Sequence, residues 1–254
     1  MKLHVVILTH LLAALVGLGV FESVTHPKPL TTYEKAQRQT VLIDTGETQG
    51  TGVMVRRTNR EGKVRWFCFT ARHVVEDDAD GWAKVRSFIR HDGKLVGERV
   101  YKARVLVQDS AVDVALLFVE AEPTAFLSVE WAPLTPAKPG DKIFAIGNFL
   151  GEQFSDSLSV GVVSQTEVHP SRIRGWPEVW TVVDQISCPA YPGSSGGPIF
   201  DMSGRVLGLC VGGIDPILNV YVPVRALDKW ADEHGVRWAL EGSRCPKDSV
   251  LEKF

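Results

Sequence analysis

Apolar and polar positions along this chain alternate in short bursts of strand length, closed off by turn residues, and only one stretch has a helical period. The first bursts are Val41–Asp44, Thr51–Arg56 and Val64–Thr70. The last two flank the polar loop Arg57–Lys63, the arrangement of a hairpin. Ala83–Arg90 and Leu95–Val107 follow, with His91-Asp92-Gly93-Lys94 as the turn between them, and Val112–Val119 completes a first set. Residues 121–140 hold Pro123, Pro133, Pro136 and Pro139 with little periodicity, and read as a connector. A second set runs through Asp141–Ile146, Leu158–Gln165, Val179–Ile186, Pro198–Phe200, Arg205–Val211 and Leu218–Val222. From Val224 to His234 the period changes: Val224, Leu227, Trp230 and Ala231 share one face of a helix, with charges opposite. Two sets of about six strands and a closing helix predict an all-β protein of two six-stranded antiparallel β-barrels with a C-terminal helix.

The ends of the chain differ from this pattern. Lys2 precedes an apolar run from Val5 to Phe21 interrupted only by Thr9 and His10. A positive start and an apolar centre fit a signal peptide, and the length also suffices for a membrane anchor, so both remain open for residues 1–21. Residues 22–40, polar and containing Pro27 and Pro29, read as a linker. The folded domain is expected over 41–240, with barrel one about 41–120, barrel two about 140–223 and the helix at 224–234; 241–254 reads as a polar tail. An extracytoplasmic location, secreted, periplasmic or tethered through residues 5–21, is the expectation.

Composition narrows the partners. With 44% hydrophobic and 23% charged residues and a net charge of −2, the chain has the balance of a globular protein and no general attraction for nucleic acid. Export would make disulfides among Cys68, Cys188, Cys210 and Cys245 possible, in any of three pairings. None of them stands at a Cys-x-x-Cys spacing, so no zinc site is expected, and Cys68 and Cys210 lie in apolar runs that suit buried free thiols. Glu76-Asp77-Asp78-Ala79-Asp80 reads as a solvated acidic turn rather than a calcium loop; no metal or cofactor is expected.

The chemistry concentrates in Pro192-Gly193-Ser194-Ser195-Gly196-Gly197-Pro198. A serine among glycines, in a sharply bent turn, can present a hydroxyl beside exposed N–H groups, which acyl transfer requires of a nucleophile and its oxyanion hole. A serine needs a base and a carboxylate to orient that base. His73, just past an apolar strand, and Asp113, opening another, are the candidates. Asp109 competes with Asp113 but precedes Ser110-Ala111 and reads as a turn residue. The segment also fits the Gly-x-Ser-x-Gly elbow of a doubly wound hydrolase, yet it leads into a strand, not a helix, and the acid and histidine precede the serine.

These segments resemble trypsin-like serine proteases of the chymotrypsin clan, nearest the HtrA/Deg type. Thr70–Val75 is similar to the family's histidine box, Asp113–Leu117 to its aspartate box and Pro192–Pro198 to its serine box. Gly140–Asn148, Ser159–Ser164 and Gly204–Gly208 are similar to further strands of the family, so the likeness covers about residues 45–235. It implies a serine endopeptidase acting on polypeptides through the triad His73, Asp113 and Ser195, with Gly193 and Ser195 N–H groups as the oxyanion hole. It also implies substrate contacts at Pro189, Ala190, Val211, Gly212 and Gly213, none of them acidic, so that an apolar pocket is expected rather than one for Lys or Arg. Two departures from the family pattern are read here: Ser194 stands where an Asn or Asp is usual before the nucleophile, and no PDZ module is expected in the stretch after the protease part. A catalytically silent peptide-binding module is the competing reading.

Overall fold

In a computed structural model the described residues are 29–76, 81–169, 182–215 and 218–253. The chain divides into two compact units, Met1–Leu30 and Thr31–Phe254, and both barrels lie in the second. The predicted signal or anchor, Asp77–Asp80 of the acidic turn and the start of the Val179–Ile186 run lie outside the described residues.

Barrel one contains β1 (Thr40–Asp44), β2 (Gln49–Thr58), β3 (Val64–Thr70), β4 (Trp82–His91), β5 (Lys94–Asp109) and β6 (Val114–Glu120), closed in the order β1-β2-β3-β6-β5-β4. Barrel two contains β7 (Lys142–Phe149), β8 (Phe154–Val168), β9 (Val183–Ile186), β10 (Pro198–Asp201), β11 (Val206–Asp215) and β12 (Leu218–Pro223), closed in the order β10-β11-β12-β9-β8-β7. All ladders are antiparallel, so the two closed six-stranded barrels are the predicted architecture. The β4–β5 turn forms where the sequence places it. His91 pairs with Lys94, and Asp92 and Gly93 both take positive φ, as a two-residue hairpin of this twist demands.

The strands carry two apolar layers because alternate residues face opposite sides. On β7, Ile143 points into barrel two, beside Val163, Ile186 and Ile199, whereas Phe144 points at barrel one. Phe144 stacks on Phe200 at 4.9 Å and meets Tyr33 edge-on. The shared core thus runs between the barrels, and the helices that flank them in the chain help to cover it. Helix α1 (Thr32–Gln39) sits inside the stretch read as a linker. The physical reason is a capping box: the Thr31 hydroxyl accepts from Glu34 N, and Glu34 reaches back to Thr31 N. Helix α2 (Val224–Glu233) buries Val224, Leu227, Trp230 and Ala231 as its period predicts. Trp230 then packs edge-on against Phe69 of β3, returning the end of the chain to barrel one.

The stretch read as a polar tail is also structured. After α3 (Trp238–Glu241), Cys245 bridges to Asn59, and α4 (Asp248–Leu251) docks on barrel one. Asp248 accepts from Arg65 at 2.8 and 2.5 Å and from Asn59 Nδ2 at 2.9 Å. Arg57 donates to the carbonyls of Trp238, Ala239 and Leu240 at the end of α3. The connector 121–140 is anchored too, by Phe126 against Trp66 and by the bridge from Trp131 to Val206. All four cysteines are free and buried, and burial raises each thiol's pKa. Among the described residues no helix is long and apolar enough to cross a membrane.

Candidate active site

The end of β3 and the start of β6 are neighbours, with Thr70 opposite Ala115, and this register brings His73 to Asp113. After Ala71 the chain makes one turn of 3-10 helix, Arg72–Val74, that swings His73 off the strand axis. Asp113 occupies the left-handed region at φ 57°, which an aspartate tolerates better than most side chains, and so ends the β5–β6 loop with its carboxylate turned inward. Asp109, expected as a turn residue, is the last residue of β5, paired with Val114, and its carboxylate accepts from Ala111 N at 2.6 Å where the turn begins. The Asp113 carboxylate receives the His73 backbone N–H at 3.0 Å on one oxygen and meets Nδ1 at 2.7 Å on the other. A carboxylate accepts only, so this contact places the Nδ1 proton on the ring and leaves Nε2 as the lone-pair nitrogen of the neutral imidazole.

The His73 side chain is 40% exposed and that of Asp113 13%, so the pair has a wet end and a sheltered end. Burial disfavours the imidazolium, but the Asp113 hydrogen bond and charge, with Glu76 adding to them, outweigh it. The His73 pKa therefore lies above the ordinary 6.5. Arg72, which pulls in the other direction, is engaged by Glu76 in an ion pair.

Ser195 comes from barrel two and is brought to the same corner through β2. Its carbonyl accepts from Thr51 N at 2.8 Å. A Cβ on Gly50 would fall 2.5 Å from Val74 and 3.0 Å from the Ser195 carbonyl, and one on Gly196 would fall 2.6 Å from Ala71 N. Gly50 thus lies close against both Val74 and the Ser195 carbonyl, and Gly196 against Ala71. No hydrogen bond joins His73 to Ser195 among the described residues.

The turn that carries Ser195 is paired almost to saturation. The Pro192 carbonyl accepts from Leu150 N at 2.7 Å and the Ser194 carbonyl from Gly197 N at 2.9 Å. Thr51 Oγ1 donates to the Gly193 carbonyl at 2.6 Å. Ser194 N donates to Tyr191 O, and Gly196 N to Cys210 O. Two donors are left over: among the described residues the N–H groups of Gly193 and Ser195 have no acceptor. Because a trans peptide sets N–H opposite to C=O, fixing the Pro192 and Ser194 carbonyls fixes where these two N–H groups point. Gly193 takes φ 94°, and a Cβ there would lie 2.2 Å from the Asn148 carbonyl, so only glycine fits. Ser194 does more than supply backbone: its buried hydroxyl accepts from Tyr191 N at 3.1 Å.

Pro189 and Ala190 line a small apolar cavity beside this turn, about 10 Å³, together with Ile146, Cys188, Ser194 and Cys210. Val211 is buried, Gly212 is half-buried and Gly213 exposed, paired with β12 at Val220 and Asn219. The β10 ladder on the other side of β11 reaches only Leu209, so the Val211–Gly213 edge is open there among the described residues. Sequence reasoning missed Thr51 and gave Asn148 no role. Both are fully buried polar side chains, and the available signal was Asn148, an amide ending the apolar run of β7, whereas Thr51 suits a strand and gave none.

Comparison with known proteins agrees with this geometry. The Serine protease Do-like HtrA of Bacillus subtilis (strain 168) is 26% identical over 166 residues, which is 65% of this chain and 34% of that protein. A Probable periplasmic serine endoprotease DegP-like of Chlamydia trachomatis is 30% identical over 63% of this chain and 27% of its own length. The chain thus spans about a third of such relatives. In fold, it matches an inactive form of Rv3671c from M. tuberculosis H37Rv with a TM-score of 0.62 and 22% identity, over 80% of this chain and 90% of that one. Deg5 matches with the same TM-score at 20% identity, over 82% and 93%. Residues 50–209, a span that takes in His73, Asp113 and Ser195, match the family model of the trypsin-like peptidase domain, and the chain belongs to that family.

Proposed function

We propose that the chain is a serine endopeptidase whose triad is His73, Asp113 and Ser195. The observation that carries this reading is the pairing of an oriented, neutral-capable imidazole with a serine turn whose two unpaired N–H groups stand beside the hydroxyl. His73 Nε2 takes the Ser195 Oγ proton as Oγ attacks the carbonyl carbon of the substrate. The resulting oxyanion is held by the Gly193 and Ser195 N–H groups, each worth roughly 3–4 kcal/mol in the transition state. His73 then gives its proton to the leaving amine. Water repeats the sequence on the acyl-enzyme, with His73 as base and Ser195 Oγ as leaving group. Asp113 keeps the proton on Nδ1 and stabilises the imidazolium throughout.

The substrate is a polypeptide lying antiparallel along the open edge at Val211, Gly212 and Gly213, the usual way an extended peptide adds to a sheet. Pro189 and Ala190 wall a pocket too small and apolar for Lys or Arg, so small uncharged side chains are favoured. Export through residues 1–21 is part of the same proposal, in keeping with the periplasmic relative from Chlamydia trachomatis. The test is labelling of the purified full chain by a fluorophosphonate, beside Ser195→Ala. Labelling confined to the wild type, with hydrolysis of a casein substrate, is expected. A folded wild type that binds peptide but neither labels nor cleaves would instead establish a silent binding module.

A further inference from the structure

Thr51 makes two hydrogen bonds to the turn that carries the two proposed oxyanion donors, without touching the donors themselves. Its backbone N–H donates to the Ser195 carbonyl at 2.8 Å, and its hydroxyl to the Gly193 carbonyl at 2.6 Å. The same hydroxyl oxygen receives Asn148 N at 2.9 Å and Asn148 Nδ2 at 3.1 Å. A hydroxyl has one proton and two lone pairs. With both lone pairs taken by Asn148, the proton has one direction left, toward Gly193. Asn148 is itself fixed, Nδ2 also reaching the Val41 carbonyl at 3.0 Å and Oδ1 accepting from Asp156 N at 3.2 Å. On the opposite side, the Thr51 carbonyl accepts from Thr70 Oγ1 at 2.7 Å, at the end of the strand that delivers His73.

We infer that Thr51 is a positioning residue for the oxyanion hole, a role that rests on the proposed serine chemistry. The two donor N–H groups belong to the 192–193 and 194–195 peptides, and the plane between them is the 193–194 peptide. Thr51 Oγ1 holds the carbonyl of that middle plane, while Ser194 N–H on its other edge is held by Tyr191 O. Losing that bond leaves the middle peptide held by Ser194 N–H alone, and because the peptides on either side are each anchored at a single carbonyl, the two donor N–H groups no longer keep one fixed angle to each other. Thr51 belongs to barrel one and the turn to barrel two, so the hydroxyl also registers one barrel against the other. Nothing in the strand pattern needs a hydroxyl here, because Thr51 is fully buried on β2 between Gly50 and Gly52.

The test compares Thr51→Val, Thr51→Ala and Thr51→Ser in the full chain, by peptide hydrolysis and by amide hydrogen exchange of residues 191–200. Loss of the hydroxyl is expected to lower kcat about 10- to 100-fold with KM within about twofold, the scale of an ångström-sized misplacement. The pH profile should keep its wild-type midpoint, because His73 and Asp113 are untouched, and Thr51→Ser should recover wild-type kcat. Exchange at Gly196 and Gly197 should quicken in Thr51→Val and not in Thr51→Ser. Should Thr51→Val not fold, the smaller Thr51→Ala carries the same comparison. Equal kcat in Thr51→Val and wild type overturns the inference, as does a Thr51→Ser variant as slow as Thr51→Val, which would assign the loss to packing. A wild type without hydrolysis overturns the nucleophile assignment instead; unchanged exchange in Thr51→Val overturns the positioning role whether or not the chain is active.

Discussion

A single carboxylate decides which nitrogen of His73 is free, and the rate should therefore follow both partners. Asp113→Asn would reverse the hydrogen bond, since an amide can donate to Nδ1 and leave the proton on Nε2, the wrong tautomer for a base. A fall in kcat of about 10³–10⁴-fold is expected, with peptide binding retained. Since the His73 pKa is raised above 6.5, the protonated and inactive form persists to higher pH than for a free imidazole. Activity should accordingly rise through a midpoint above 6.5 and fall away below it; a rate flat from pH 8 to pH 4 would remove His73 from the reaction. His73 and Asp113 were legible in the sequence as a candidate pair, each at the end of an apolar strand, and the structure brings them into contact at 2.7 Å; Ser195 was legible as a serine among glycines. Thr51 was not. Its role arises from a hydrogen bond across the barrel interface, between residues 142 apart in the chain.

Among the elements, strands were readable from alternation, and within the described residues their bounds moved by only a few residues. The structured ends were not, since their stability comes from capping and long-range ion pairs rather than periodicity. Helix α4 has only four residues, too few to stand alone, and is held by Asp248 against Arg65. The Arg65 hydrogen bond, with smaller contributions from Asn59 and Lys63, outweighs burial and lowers the Asp248 pKa from 3.8 to about 2. A depressed folded-state value means that the contribution is complete above the unfolded pKa and is lost as pH falls toward about 2. Asp248→Asn should thus lower Tm at pH 7, and the gap from wild type should close as the pH is brought to 2. A gap that persisted at pH 2 would show that the charge is not what docks the helix. The long exposed start of β5 shows the opposite case: Leu95, Val96 and Val100 are apolar and suit a strand, yet they face solvent on a hairpin that extends past the core.

At the scale of the whole molecule, no covalent staple supports the fold, because the four thiols are buried and unpaired. Millimolar dithiothreitol should leave Tm and hydrolysis unchanged, and labelling by a thiol reagent should appear only on unfolding; a drop of several degrees in reductant would reveal a disulfide. The cohesion comes instead from the apolar layer around Phe144, Phe200 and Phe69, to which both barrels, α1 and α2 contribute. The sequence displayed two strand sets but not this shared layer, since a pattern of alternation says which residues turn inward and not which sheet they meet. Thr51 adds a consequence of timing. The hydroxyl that aims the turn is supplied by the half of the chain synthesised first, and the turn itself by the half synthesised last. A nascent chain that has emerged only as far as barrel one therefore carries Thr51, His73 and Asp113 without Ser195, and on the proposed reading it gains the means to cut its neighbours only once its two halves have closed on each other.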